Sequence, residues 1–318
     1  MEMNRRRFIE CASLAGTSLA INGYAKPASP KEVNVGVIGV HGKGWSDWTA
    51  LLSQGANIVA LCDVDKTKID IGLKKLKDSG KDTSKVKVYS DFRKMLDACK
   101  EINSVTVSIP DHMHGLAAIT AMRHGCNVYV QKPLVRTLWE VRQFEKVAKE
   151  CGVATQMGNQ GSAAPILRRG VEVLQSGLIG KVKEVHVWTD RPIWPQGMQR
   201  PAGADPIPPH VDWESWIGVA KMRPFKLKAY HPFNWRGVID FGTGAFGDSA
   251  CHTMNLPVRG LCLGKVESAE CLKIVGKNSE SYPHASIVKM HYAARKDLPG
   301  VDLFWYDGRI KPNREIMH

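Results

Sequence analysis

The sequence contains no apolar run of the roughly 18–20 residues that a membrane-spanning helix requires, which excludes an integral helical membrane protein for this chain. Its 8 cysteines include no C-x-x-C pair, so neither a zinc knuckle nor a thioredoxin-type dithiol is indicated. Glycine (29) and proline (17) are too few and too scattered for a collagen-like or low-complexity chain. Acid is the scarcer charge, 31 Asp+Glu against 44 Lys+Arg, for a net +13. The excess base is spread along the chain without zinc-finger spacing or an RNA-binding aromatic motif. Nucleic acid is therefore not expected as a partner, and anionic small molecules are. A hydrophobic content of 43% with 24% charged residues excludes a disordered chain, and 318 residues suggest two domains.

Residues 1–28 read as an export signal. A basic start, Asn4-Arg5-Arg6-Arg7-Phe8-Ile9, precedes a mildly apolar stretch over 11–21, and small residues stand at cleavage spacing before Ala28. The adjacent arginines resemble a twin-arginine signal, which implies a periplasmic protein. The alternative is a cytoplasmic protein with a frayed N-terminal helix.

From residue 33 to 157 short apolar strands alternate with amphipathic helices. Strands are expected near 33–40, 57–62, 86–89, 104–109, 127–130 and 153–157, with helices between them. This order predicts an α/β, Rossmann-type, doubly wound parallel sheet whose ligand sits beyond the carboxyl ends of the strands. Three sequences fall at those ends. The first is Gly39-Val40-His41-Gly42-Lys43-Gly44, a G-x-G-x-x-G turn with His41 at its second glycine and Gly42 added, followed 19 positions after Gly44 by Asp63. Such an acid takes the ribose hydroxyls of an adenosine and repels a 2′-phosphate, which favours NAD. The second is Ile109-Pro110-Asp111-His112-Met113-His114, and the third Gln131-Lys132-Pro133. A strand-end Lys can hydrogen-bond a ribose or a substrate hydroxyl.

This ordered set resembles the Gfo/Idh/MocA family of NAD(P)-dependent oxidoreductases. The family's usual Glu-Lys-Pro appears as Gln131-Lys132-Pro133, which removes one charged partner of Lys132. The resemblance implies NAD bound by Gly39, His41, Gly42, Gly44, Asp63, Pro110, His114 and Lys132. It also implies a second, α+β domain over 158–318 with a mainly antiparallel open sheet, for substrate binding and homo-oligomer formation. The strand expected near 301–308 lies close to the chain end, so that domain resembles a C-terminally short version.

In the second region a long irregular segment, 191–212, is rich in Pro, Trp and Gly. Trp188, Trp194, Trp213 and Trp216 offer either faces for sugar rings or ordinary packing. A denser cluster follows: His231, Trp235 and Arg236, then Asp248 and His252 at i, i+4, one face of a helix. No third ligand follows at zinc spacing, so no metal is expected. The resemblance brings Asp248 and His252 to Lys132 as the catalytic group. His252 is the first choice of base and His231 the second, Asp248 positions a hydroxyl or His252, and His231, Trp235 and Arg236 contact substrate. It implies hydride transfer from a secondary hydroxyl of a sugar, glycoside or polyol to NAD. The alternatives are an NAD-dependent glycosidase acting by transient oxidation, or a catalytically degenerate carbohydrate-binding protein.

Overall fold

The computed structural model describes residues 32–317. The export signal expected over residues 1–28 lies outside them. Strands β1 (Asn34–Ile38), β2 (Asn57–Cys62), β3 (Lys87–Tyr89), β4 (Ser104–Val107), β5 (Asn127–Gln131) and β6 (Thr155–Gly158) form a six-stranded sheet in the order β3-β2-β1-β4-β5-β6. Every pairing in it is parallel. The order reverses between β1 and β4, and that switch point opens a crevice at the strand ends.

The sheet forms because its strands are short and apolar on both faces. Val35, Val37, Ile58, Leu61 and Trp48 fill one side, and Ile38, Val105, Val107, Val128, Val130 and Phe144 the other. Helices cover both sides with their apolar faces, and several of their starts are capped. The Asp65 carboxylate accepts Thr67 N at 3.0 Å at the head of Lys66–Asp78. Thr137 and Glu140 form a reciprocal capping box on Leu138–Cys151.

Strands β7 (Glu184–Trp188), β8 (Val266–Val275), β9 (Ala285–Tyr292) and β10 (Val301–Tyr306) form a second sheet in the order β7-β10-β9-β8. The β10–β9 and β8–β9 pairs are antiparallel and β10–β7 is parallel, so the expectation of a mainly antiparallel sheet holds. Its core is Val187, Met290, Val301, Leu303 and Trp305. The described residues from 32 onward cluster as one unit, and the boundary expected at 157/158 falls inside β6, one residue before that strand ends.

The irregular segment carries no helix or strand between β7 and the short helix Trp213–Ile217. An aromatic core underlies it. Trp213 stacks on Trp216 at 4.7 Å, and Trp216, Tyr230 and Phe241 pack edge to face. Trp194, Trp213 and Trp216 are buried, so packing is their first role. Among the described residues no helix is long and apolar enough to cross a membrane, and all seven cysteines are free thiols.

Candidate active site

A cavity of about 620 Å³ runs along the carboxyl ends of five parallel strands. Gly39, Asp63, Asp91, Ser108–Asp111 and Lys132 line it, and Trp216, His231, Trp235, Arg236 and Asp248 close it from the far side. Its size suits a cofactor with a small substrate.

At β1 the glycine turn is built for close approach. A Cβ on Gly44 would lie 1.9 Å from Gly39 O, and one on Gly39, where φ is +88°, would lie 2.3 Å from Ser108 O. Neither position admits a side chain. Gly42 is left-handed at φ +64° with open space around it, and His41 is exposed beside Trp45. The extra glycine, rather than His41, therefore leaves the backbone amides before the helix Lys43–Ser53 open to an anion. At the end of β2, Asp63 accepts Val40 N at 2.9 Å and Asp65 N at 3.0 Å. Burial pushes its carboxyl up while those two N–H groups pull it down. A glycine cradle without room for a Cβ, and an acid beyond the next strand, fit a dinucleotide.

Asp47 is a hub with no sequence signal beyond its place on an amphipathic helix. It is buried, and it receives Lys43 Nζ at 2.8 Å, the Ser108 hydroxyl at 2.8 Å and Gln131 Nε2 at 2.9 Å. The Gln131 amide is thus turned onto Asp47 rather than onto the Lys132 ammonium. Lys132 finds its charge elsewhere. Its ammonium donates to Asp248 Oδ1 at 2.9 Å and to Asp248 O at 2.8 Å. Arg236 Nε reaches the same carboxylate at 3.5 Å.

The helix Gly244–Thr253 places Asp248 and His252 on one face, as their spacing requires. Asp248 does not hold His252, however, because its carboxylate is taken by Lys132 and Arg236. His252 is half-buried and does not line the cavity. Burial, then the Lys132 charge, lowers its pKa and keeps the imidazole neutral.

Two further expectations are corrected. His114 is buried, and its ring nitrogens lie 2.8 Å from Pro133 O and 2.7 Å from Ile109 O. It braces the loops after β4 and β5 rather than facing a cofactor. His231 lies on the cavity wall with Nε2 3.3 Å from Asp65 Oδ2, beyond β2. Lys132 follows β5, three strands away or about 14 Å at ordinary strand spacing. His231 therefore sits at the Asp63 end, not beside Lys132.

Trp235 and Pro110 both line the cavity; Pro110 immediately precedes the helix Asp111–Arg123. Arg236 lies over the Trp235 ring at 4.4 Å and the Phe233 ring at 4.3 Å. Asp111, also on the wall, is held by the Thr243 hydroxyl at 2.8 Å. Among the described residues no group of three or more His, Cys, Asp or Glu could hold a metal ion.

Residues 33–159 match a family model described as "Oxidoreductase family, NAD-binding Rossmann fold". The chain is 32% identical over 149 residues to a glycosyl hydrolase family 109 protein of Solibacter usitatus, covering 44% of this chain and 32% of that one. It spans less than half the length of the curated relatives it matches. It superposes on GenD2 from gentamicin A biosynthesis, solved with NAD, at TM-score 0.62 and 19% identity, covering 93% of this chain and 70% of that one. For myo-inositol 2-dehydrogenase of Lactobacillus plantarum the values are 0.61, 18%, 87% and 70%. At these identities the superpositions establish the fold.

Proposed function

We propose that this chain, whose residues 33–159 match the NAD-binding Rossmann model of the Gfo/Idh/MocA oxidoreductases, is an NAD-dependent oxidoreductase acting on a secondary hydroxyl of a sugar, glycoside or polyol. The observation that carries this reading is the convergence, in one cavity, of the glycine cradle at β1, Asp63 at β2 and the Lys132–Asp248 pair. The Gly42–Gly44 amides would hold the pyrophosphate and Asp63 the adenosine ribose. Bound NAD supplies an acceptor for the hydride of a carbinol carbon.

The chain's own residues do the rest. The Lys132 ammonium, aimed by Asp248, holds the substrate hydroxyl oxygen and stabilises negative charge developing there. Arg236, clamped on the same carboxylate and over the Trp235 face, presents an apolar and cationic edge to a polyol. His252 acts from behind the wall as a neutral neighbour of the Lys132–Asp248 pair.

A second reading has its own support. The glycosyl hydrolase family 109 name of the curated relatives favours transient oxidation that ends in glycoside cleavage. Glycoside cleaved without net NADH would select that reading, and NADH accumulating with ketone would select the first. We also assign the Arg5-Arg6 leader to export into the periplasm.

Asp63→Arg tests the cofactor placement. Removing the carboxylate and adding a cation is expected to turn the preference from NAD toward NADP, read as the Kd of each nucleotide. An unchanged preference would mean that the ribose is read elsewhere.

A further inference from the structure

The Lys132–Asp248 pair leaves the proton of a substrate hydroxyl without an acceptor. Asp248 is engaged by two cations, and His252 stands outside the cavity wall. Asp111 stands on that wall. It is the first residue of the helix Asp111–Arg123, and although only 2% exposed it is one of the residues that line the cavity. The Thr243 hydroxyl reaches across from the N-cap of the helix Gly244–Thr253 and fixes one carboxyl oxygen. The charged and titratable groups acting on it are Lys132 after β5, Asp248 and Arg236 from the far wall, and Tyr282 before β9.

We propose that Asp111 accepts the proton of the substrate hydroxyl at this site, a role that rests on the oxidoreductase reading above. The substrate O–H bond breaks and its proton joins an Asp111 oxygen. The electron pair left on the substrate oxygen becomes the second bond of a carbonyl as the carbon gives up its hydride to oxidised nicotinamide dinucleotide. Lys132, held by Asp248, donates to the oxygen and steadies it while the charge develops.

The balance of forces on Asp111 suits the task. Burial, and then the Asp248 charge, push its carboxyl up, while Thr243, Lys132 and Arg236 pull it down, leaving it at about 7. A base poised near the working pH accepts protons efficiently, and the protonated acid is tolerated in a buried wall. The ionised form accepts, so kcat/KM should fall as pH drops through about 7.

The test is an infrared difference titration of the purified full chain with NAD added, comparing wild type, Asp111→Asn and Thr243→Val. A carboxyl that ionises near neutrality in wild type, is missing in Asp111→Asn and moves to higher pH in Thr243→Val is the expected result. The upward move follows because the hydroxyl stabilises the charged form. With a sugar or polyol that turns over, Asp111→Asn should lose the acidic limb of the pH profile and about 10²–10⁴-fold in kcat/KM, with the Kd for NAD unchanged. An Asp111 already ionised at about pH 5, as ordinary aspartates are, overturns the role. So does an acidic limb that persists in Asp111→Asn. A wild type that binds no NAD would instead sink the oxidoreductase reading itself.

Discussion

Lys132→Met is expected to lower turnover by about 10²–10³-fold, the usual worth of a donor aimed at the oxygen where charge develops. The loss should fall on kcat more than on KM, because the ammonium acts on charge that develops in the transition state. The fold should survive. Asp248 keeps Arg236 as a partner, so the half-buried carboxylate is not left without a cation. Steady-state rates of NAD reduction and a thermal melt of the same preparation check both halves. Full activity in the variant would remove Lys132 from the mechanism.

The second large effect is on stability. Arg223 is 3% exposed, pairs with both Glu280 and Asp240, and lies over the Phe241 ring at 4.7 Å and the Tyr230 ring at 5.3 Å. It ties β9's approach segment to the aromatic core that forms the far wall of the cavity. Arg223→Met keeps much of the packing but strips Glu280, itself largely buried, of its inner partner. Breaking one side of a buried pair costs about 3–5 kcal/mol. The lower end is expected because Arg200 still reaches Glu280 at 2.8 Å. A control in the exposed Lys74–Asp78 pair, Lys74→Met, should cost under about 0.5 kcal/mol. Equal midpoints for the two variants in urea would show that the Arg223 network carries no special weight.

The parallel sheet was legible because its strands are short, doubly apolar and punctuated by glycine and proline at the ends. The site was legible where a motif and a strand end coincide: Gly39–Gly44, Asp63 and Lys132 need only local chain to be placed. Asp248 was legible through its i, i+4 spacing with His252, although the partner it chose was Lys132, 116 residues away.

What escaped the sequence depends on contacts between distant segments. Asp111 reads locally as a helix-start acid. Burial and the Asp248 charge, which push its carboxyl up, and the Thr243 hydroxyl, which pulls it down, come from segments more than 100 residues along the chain. Asp47 reads as a polar helix residue until Ser108 and Gln131 are brought onto it. His114 was misplaced because a motif fixes a residue's position along the chain but not the direction of its ring. Once Ile109 O and Pro133 O flank both nitrogens, none is left for a cofactor. His231 keeps its place on the cavity wall, but its ring turns to Asp65 at the β2 end, a contact its sequence neighbours do not reveal.

The central claim is that the cavity at the strand ends holds NAD. The most direct measurement is calorimetric titration of NAD into the purified protein, after denaturing a portion and identifying any nucleotide it releases. Released NAD(H), or a single saturable site per chain, is the expected result. A protein that releases no dinucleotide and gives no binding signal with NAD or NADH would contradict it.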